Sequence, residues 1–341
     1  NDILPDMYIG RLSAETKSQA EDIVDKIIYY EKNPPVKSWN KNVLLVADDD
    51  SASFEELSEQ LADLLPADYT ASKVYVGDYT SEGSPTKDIL KYIDNGSLLV
   101  NYTGHGAVDS WGLWGDDKSI FTQTDITSLN NTNKFPVVTV ADCLNGFFSG
   151  PKTQVSMAEG FQRLKDKGAV AVWAPTALSY TSGHSIVMQA LYKAIFQDGQ
   201  YGLGAATTAA KIAAYSQSSY WSELVETYVL FGDPVTHLGV DVALSVISPN
   251  GGETVTSGAT YTIQWEAPSD MIKFTLGYSM NNGRTWKKIA DKVEGTSYGL
   301  KVPVVKKSMK GCLIGVIGFN QSGEMVDKDT SDSTFTIEAS E

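Results

Sequence analysis

Residues 43–47, 98–102, 137–141 and 168–174 are short apolar runs rich in Val, Ile, Leu and Ala. Such runs predict strands buried on both faces of a parallel sheet. Between them the period changes. Ala20, Ile23, Val24, Ile27 and Ile28 recur at helical spacing after Ser13-Ala14-Glu15-Thr16, and Asn33-Pro34-Pro35 stops the helix they predict. Leu57, Leu61, Leu64 and Leu65 form one stripe over 54–65. Further helices are predicted over 86–93, 125–129, 156–167, 185–196 and 203–215, and short strands over 7–9, 74–76 and 228–230. A loop rich in Trp, Gly and Asp covers 109–117. Strand and helix alternate up to about residue 240, which predicts an α/β domain over 1–240. Its mainly parallel sheet carries helices on both faces.

Beyond that point the helical period is lost. Short alternating runs at 261–265, 274–278, 313–317 and 334–337 are separated by Gly, Asn and Ser turns. They predict an all-β sandwich over 241–341, opened by the turn Ser248-Pro249-Asn250-Gly251-Gly252-Glu253.

Composition narrows the function classes. A net charge of −15 over 341 residues argues against a nucleic-acid partner, which calls for a basic face. No apolar run approaches the ~20 residues that span a bilayer. Cys143 and Cys312 fall in different predicted domains, so they are not expected to pair, and with three His they form no zinc pattern. Asn1 is not an initiator Met, so the chain reads as a processed or trimmed product.

Chemistry concentrates at two strand ends. Leu98 to Tyr102 leads into Thr103-Gly104-His105-Gly106, and Val137 to Ala141 into Asp142-Cys143-Leu144-Asn145-Gly146. Ligands in open α/β sheets sit beyond the carboxyl ends of strands. A His at one end and a Cys at another suggest a base and a nucleophile. A core thiol and a structural imidazole are the alternative, since free Cys is commonly buried.

Leu99-Val100-Asn101-Tyr102-Thr103-Gly104-His105-Gly106 with Trp111-Gly112 closely resembles the His motif of the gingipain-type cysteine peptidases, members of the caspase-like clan. Ala141-Asp142-Cys143-Leu144-Asn145-Gly146 resembles their Cys motif, with Asp142 where the family has Ala. Met7-Tyr8-Ile9-Gly10-Arg11 and Phe231-Gly232-Asp233-Pro234 resemble two flanking signatures in the right order.

The resemblance, over roughly residues 5–240, implies a caspase-like fold and peptide-bond hydrolysis. It implies Cys143 as nucleophile, His105 as general acid, and the N–H groups of Gly106 and Cys143 as oxyanion hole. An acidic residue after an early strand orients the His in the family. Here it falls in Asp48-Asp49-Asp50, and Asp50 is the expected member; a solvated loop or a structural calcium site is the alternative use of the three. The first specificity pocket would lie between Phe54 and the loop 178–184, with Tyr180 and His184 as its distinctive side chains. Phe54 stands where arginine-cleaving members carry an acid, so Arg specificity is not carried over.

The family also has an α/β subdomain ahead of the segment beginning at Met7, which makes that subdomain or a propeptide an expected partner beside protein and peptide substrates. The sandwich resembles the immunoglobulin-like domain that follows gingipain catalytic domains. Tyr278 to Trp286 resembles a single sialidase Asp-box hairpin with Asn281 in place of the Asp. The expectation is a secreted or cell-surface cysteine endopeptidase that requires no cofactor. The rival is a non-catalytic binding or adhesion protein on a retained peptidase scaffold.

Overall fold

The computed structural model describes residues 5–33, 38–81, 84–114, 118–151, 154–240, 243–268 and 271–339. The chain forms two compact units, Asn1–Val240 and Asp241–Glu341.

In the first unit α1 (Lys17–Lys32), β1 (Asn42–Ala47), α2 (Ala52–Asp63), β2 (Thr70–Tyr75), α3 (Ser84–Asn95) and β3 (Leu99–Thr103) come first. A hairpin sheet of β4 (Gly106–Ala107), β5 (Ser110–Trp114) and β6 (Lys118–Thr122) follows. Then come α4 (Gln123–Ser128), β7 (Val137–Ala141), α5 (Met157–Arg163) and β8 (Ala171–Pro175). The unit closes with α6 (Thr181–Phe196), α7 (Leu203–Gln217), α8 (Ser222–Thr227) and β9 (Tyr228–Phe231).

The main sheet has the order β2-β1-β3-β7-β8-β9. It is parallel except for β9, which runs antiparallel to β8. Every residue of β3, β7 and β8 is buried, which is why these strands read as mainly apolar runs. Leu57 and Leu61 of α2 and Val187 and Leu191 of α6 share one core with Val43, Leu45 and Leu99. Ile89 of α3, Phe161 of α5 and Trp111 and Phe121 of the hairpin share the other with Val46, Val100 and Val138. Strand order turns at β1, with β2 on one side and β3 on the other. The crevice beyond the carboxyl ends of β1 and β3 is therefore the topological switch point.

Two local expectations differ from the structure. Residues 7–9 are not a strand: Met7 and Ile9 are 69% and 77% exposed, and only Arg11 makes a bridge, to Phe231. The segment 109–117, expected as a loop, contributes β5, whose Trp111 is buried between Tyr102 and Phe121.

The second unit is an all-β immunoglobulin-like sandwich of β10 (Ser245–Ser248), β11 (Thr254–Thr256), β12 (Thr260–Glu266), β13 (Lys273–Ser279), β14 (Lys287–Val293), β15 (Ser297–Lys301), β16 (Met309–Phe319), β17 (Met325–Thr330) and β18 (Phe335–Glu338). Strands β10-β12-β15 form one sheet and β11-β18-β16-β13-β14 the other, with β17 paired to β16. Ile263, Trp265, Leu276, Ile314 and Phe335 meet in its core. Cys312 is fully buried among them and, like Cys143, is a free thiol.

Candidate active site

Three loops meet beyond the switch point because their strands are adjacent and in register. Ala47 pairs with Thr103, and Thr103 with Ala141. The ladder runs one step further: Asp48 N–H donates to Thr103 O at 3.0 Å, and Gly104 N–H to Ala141 O at 3.2 Å. His105 and Cys143 therefore each follow a paired position by two residues, on neighbouring strands.

The backbone of His105 is held on both sides. Its N–H donates to Asp48 Oδ2 at 3.1 Å, and its carbonyl accepts from Tyr102 Oη at 2.6 Å and from Gly112 N–H at 2.8 Å. Asp48 is fully buried, and its Oδ1 accepts from Asp49 N–H at 2.9 Å. Burial pushes the Asp48 carboxyl upward, and the two backbone donors pull it back toward the ionised form. The His105 imidazole reaches outward, 68% exposed, with Nε2 3.9 Å from Asp50 Oδ2. Phe54 packs edge-on against the ring, with centroids 5.4 Å apart.

Cys143 sits half-buried at the start of a tight turn. Leu144 takes a left-handed conformation at φ 67°. Asn145 Nδ2 donates to Ala107 O at 2.6 Å and Ser110 O at 3.1 Å, tying the turn to the hairpin. Gly146 N–H donates to Pro175 O at 2.8 Å. A Cβ on Gly146 would fall 2.8 Å from Ala174 O, so glycine is what lets the turn approach β8. The sulfur faces Ser179: its S–H points to Ser179 O with Sγ 3.6 Å away, and Ser179 N–H donates to Sγ at 3.5 Å. Burial raises the thiol pKa, the Ser179 N–H lowers it, and the neighbouring Asp142 raises it again.

Gly106 has no room for a side chain. A Cβ there would lie 2.0 Å from Asp142 Oδ2 and 2.8 Å from Cys143 O. The backbone of Gly106 thus packs directly on the Asp142–Cys143 segment.

Of the three pocket candidates, Tyr180 is 72% exposed beside Ser179, at the start of α6. Phe54 is 3% exposed, and its observed contact is with His105. His184 does not face a cleft: it is 2% exposed, and Nδ1 shares a 2.6 Å hydrogen bond with Tyr228 Oη. Tyr228 in turn donates to Val140 O at 3.1 Å. Burial lowers the His184 pKa to about 4, so a charged ring for acidic substrates is absent from this position at neutral pH.

Asp48, Asp49 and Asp50 each bring one carboxylate oxygen within 4.8 Å of the others, and no other such group occurs among the described residues. Calcium takes roughly six to eight oxygens. Both Asp48 oxygens are engaged by the peptide N–H groups of Asp49 and His105, and Asp50 faces the imidazole.

Ser179 is a site-building residue that the chain pattern left unmarked; Asp48 was one of three candidate acids, and Tyr102 and Asn145 stood in the His and Cys motifs without a role. Asp48 had a signal: it is the first residue past a fully apolar strand, where a side chain still sits in the ladder.

Residues 1–239 match the family model described as peptidase family C25. Lys-gingipain HG66 from Porphyromonas gingivalis is 30% identical over 181 residues, 52% of this chain and 10% of that protein. Gingipain R2 from the same species is 27% identical over 248 residues, 69% of this chain and 33% of that protein. The chain thus spans a third or less of the length of these curated relatives. A crystal structure of the Arg-specific cysteine proteinase gingipain R superposes with a TM-score of 0.65 at 22% identity, covering 98% of this chain and 76% of that one. It shares the fold. Among the described residues no helix is long and apolar enough to cross a membrane. With its first 239 residues matched throughout by one family model, the chain belongs to peptidase family C25.

Proposed function

We propose that this chain is a cysteine endopeptidase in which Cys143 and His105 work as a dyad. One observation carries the reading: both residues follow neighbouring, register-matched strand ends, β3 and β7, beside the switch point. The Cys143 thiolate attacks the peptide carbonyl carbon, forming a C–S bond as the carbonyl π pair moves to oxygen. The N–H groups of Gly106 and Cys143 are the donors we assign to that oxyanion. His105 gives its proton to the leaving amine as the C–N bond breaks. Water then attacks the thioester and restores the thiol. Asp48 holds the His105 main chain, and Asp50 is within reach of the imidazole. The scheme draws only on groups of this chain.

For the residue before the scissile bond we propose an uncharged or aromatic side chain. Seating Arg or Lys would need a carboxylate in the pocket, because burying an unpaired cation costs several kcal/mol. Phe54 and Tyr180 supply none, Asp48 is engaged by the His105 loop, and a basic preference would have to draw on the exposed Asp49. The substrates are proteins or peptides, and the net charge of −15 suits a secreted or surface location. Incubation with a proteome-derived peptide library tests both parts. Cleavage blocked by thiol alkylation and enriched after uncharged residues is expected. Cleavage confined to Arg and Lys sites would overturn the preference, and no cleavage together with no labelling of Cys143 would favour a binding scaffold.

A further inference from the structure

The side chain of Asp142 is 1% exposed, and neither carboxylate oxygen has a hydrogen-bond partner. It lies beneath the Cα of Gly106, where a methyl group would come within 2.0 Å of Oδ2 and 2.5 Å of Cγ. Cys143 follows it directly. The dyad scheme above gives Asp142 no role, yet the carboxyl is set between the nucleophile and the glycine assigned to the oxyanion.

We propose that Asp142 sets the pH at which Cys143 becomes a thiolate: its neutral acid form permits the thiolate, and its ionised form pushes thiolate formation to higher pH. The inference rests on the dyad reading for its role in hydrolysis, but the coupling itself concerns the thiol alone.

The physical argument is one of charge. An ionised carboxylate without hydrogen bonds or a counter-ion is strongly disfavoured in a buried site. Titratable groups that feel Asp142 include Tyr102 from β3, Tyr228 from β9 and the Cys143 thiol; burial raises each of them, and the Asp142 charge raises each further. All three are neutral acids that become anions, so none compensates a carboxylate. Burial dominates the titration of Asp142 and raises it well above the ordinary carboxylate range. The backbone N–H of Asn145 opposes this without reaching hydrogen-bond geometry. The buried carboxyl and the half-buried thiol beside it then titrate as a pair, and the second negative charge enters only at the expense of repulsion from the first. The favoured mono-anion for chemistry carries its charge on sulfur, with the proton on Asp142. As pH rises and Asp142 ionises, thiolate formation is displaced to still higher pH.

The test is the rate of Cys143 alkylation by iodoacetamide across a pH series, in wild type and in Asp142→Asn, with labelling at Cys143 verified by mass spectrometry. Alkylation reads the thiolate directly and needs no peptide substrate, so it is independent of whether the chain is a peptidase. The expected ratio of variant to wild-type rate is near unity at acidic pH. It grows with pH to about tenfold, the factor for one unit of thiol pKa. A ratio that stays constant across pH, whatever its size, means a structural role only and overturns the proposal. Asp142→Ala provides the same comparison if the amide disturbs the turn. Infrared difference spectra of wild type against either variant at neutral pH should contain the carbonyl stretch of a protonated carboxyl. Its absence also overturns the proposal.

Discussion

Asp48 and Asp50 both stand close to His105, and replacing each by Asn separates their parts. In Asp48→Asn the shape is kept, but one carboxylate oxygen becomes an amide NH2. Two backbone N–H groups now compete for one acceptor: that of Asp49, at 2.9 Å from Oδ1, and that of His105, at 3.1 Å from Oδ2. Whichever way the amide settles, one donor in a fully buried position faces another donor. A hydrogen bond to a charged acceptor is worth ~1.5–3 kcal/mol, and a buried unpaired donor costs a similar amount. We therefore expect Asp48→Asn to destabilise the first unit by about 2–3 kcal/mol. To the extent that this energy fixes the His105 loop, kcat/KM falls by ~10- to 100-fold. Asp50→Asn removes a contact of 3.9 Å between side chains that are 56% and 68% exposed. Surface pairs of this kind contribute about 0–1 kcal/mol, so the loss should stay below about fivefold. Denaturant unfolding and peptide-hydrolysis kinetics on both variants, in one buffer, supply the comparison. A larger loss for Asp50→Asn than for Asp48→Asn would refute the assignment of Asp48 as the residue that organises His105.

Two further outcomes follow from buried groups away from the reacting atoms. His184 has a folded-state pKa of about 4 against an ordinary 6.5. The unfolded chain therefore binds more protons in that window, and stability falls as pH drops from 6.5 toward 4, by on the order of 3 kcal/mol. His184→Leu should flatten this slope, as read from urea midpoints between pH 7 and 4, and an unchanged slope would contradict the assignment. Lys26 Nζ donates to the carbonyls of Phe161, Gln162, Leu164 and Lys167 at 2.8–3.3 Å, pinning the turn after α5. Lys26→Met should cost about 3 kcal/mol, roughly 1 kcal/mol for each of the ammonium's three N–H donors lost from the four carbonyls. A cost under about 1 kcal/mol would mean that water takes over these bonds.

The strands that build the crevice were legible because β3, β7 and β8 are buried along their whole length, which makes them mostly apolar; the buried Asn101, Thr103 and Thr139 are admitted because they hydrogen-bond one another. The same rule misread residues 7–9, whose apolar side chains are largely exposed. It also passed over β5, because a three-stranded hairpin covered on one side by Tyr102 and Phe161 does not need strict alternation. His184 was misjudged through a helix boundary. With the helix taken to begin at residue 185, His184 reads as a loop side chain. With α6 beginning at Thr181, it stands three and four residues before the buried Val187 and Met188, on the core face. The acidic triplet could not be resolved from sequence: three identical side chains differ only in which one the β1–β3 register turns toward the His105 backbone. Cys143 and His105 were visible as reactive side chains at strand ends. The orphaned state of Asp142 was not, since only packing shows a carboxyl to lack partners.

The central claim is that Cys143 is the nucleophile, and Cys143→Ala tests it most directly. The substitution removes a sulfur whose contacts are the backbone of Ser179 at 3.5 and 3.6 Å, so unfolding should be little changed. Peptide turnover should fall by more than ~10³-fold, as removal of a nucleophile does elsewhere. Turnover within about tenfold of wild type, in a preparation whose unfolding matches wild type, would contradict the account.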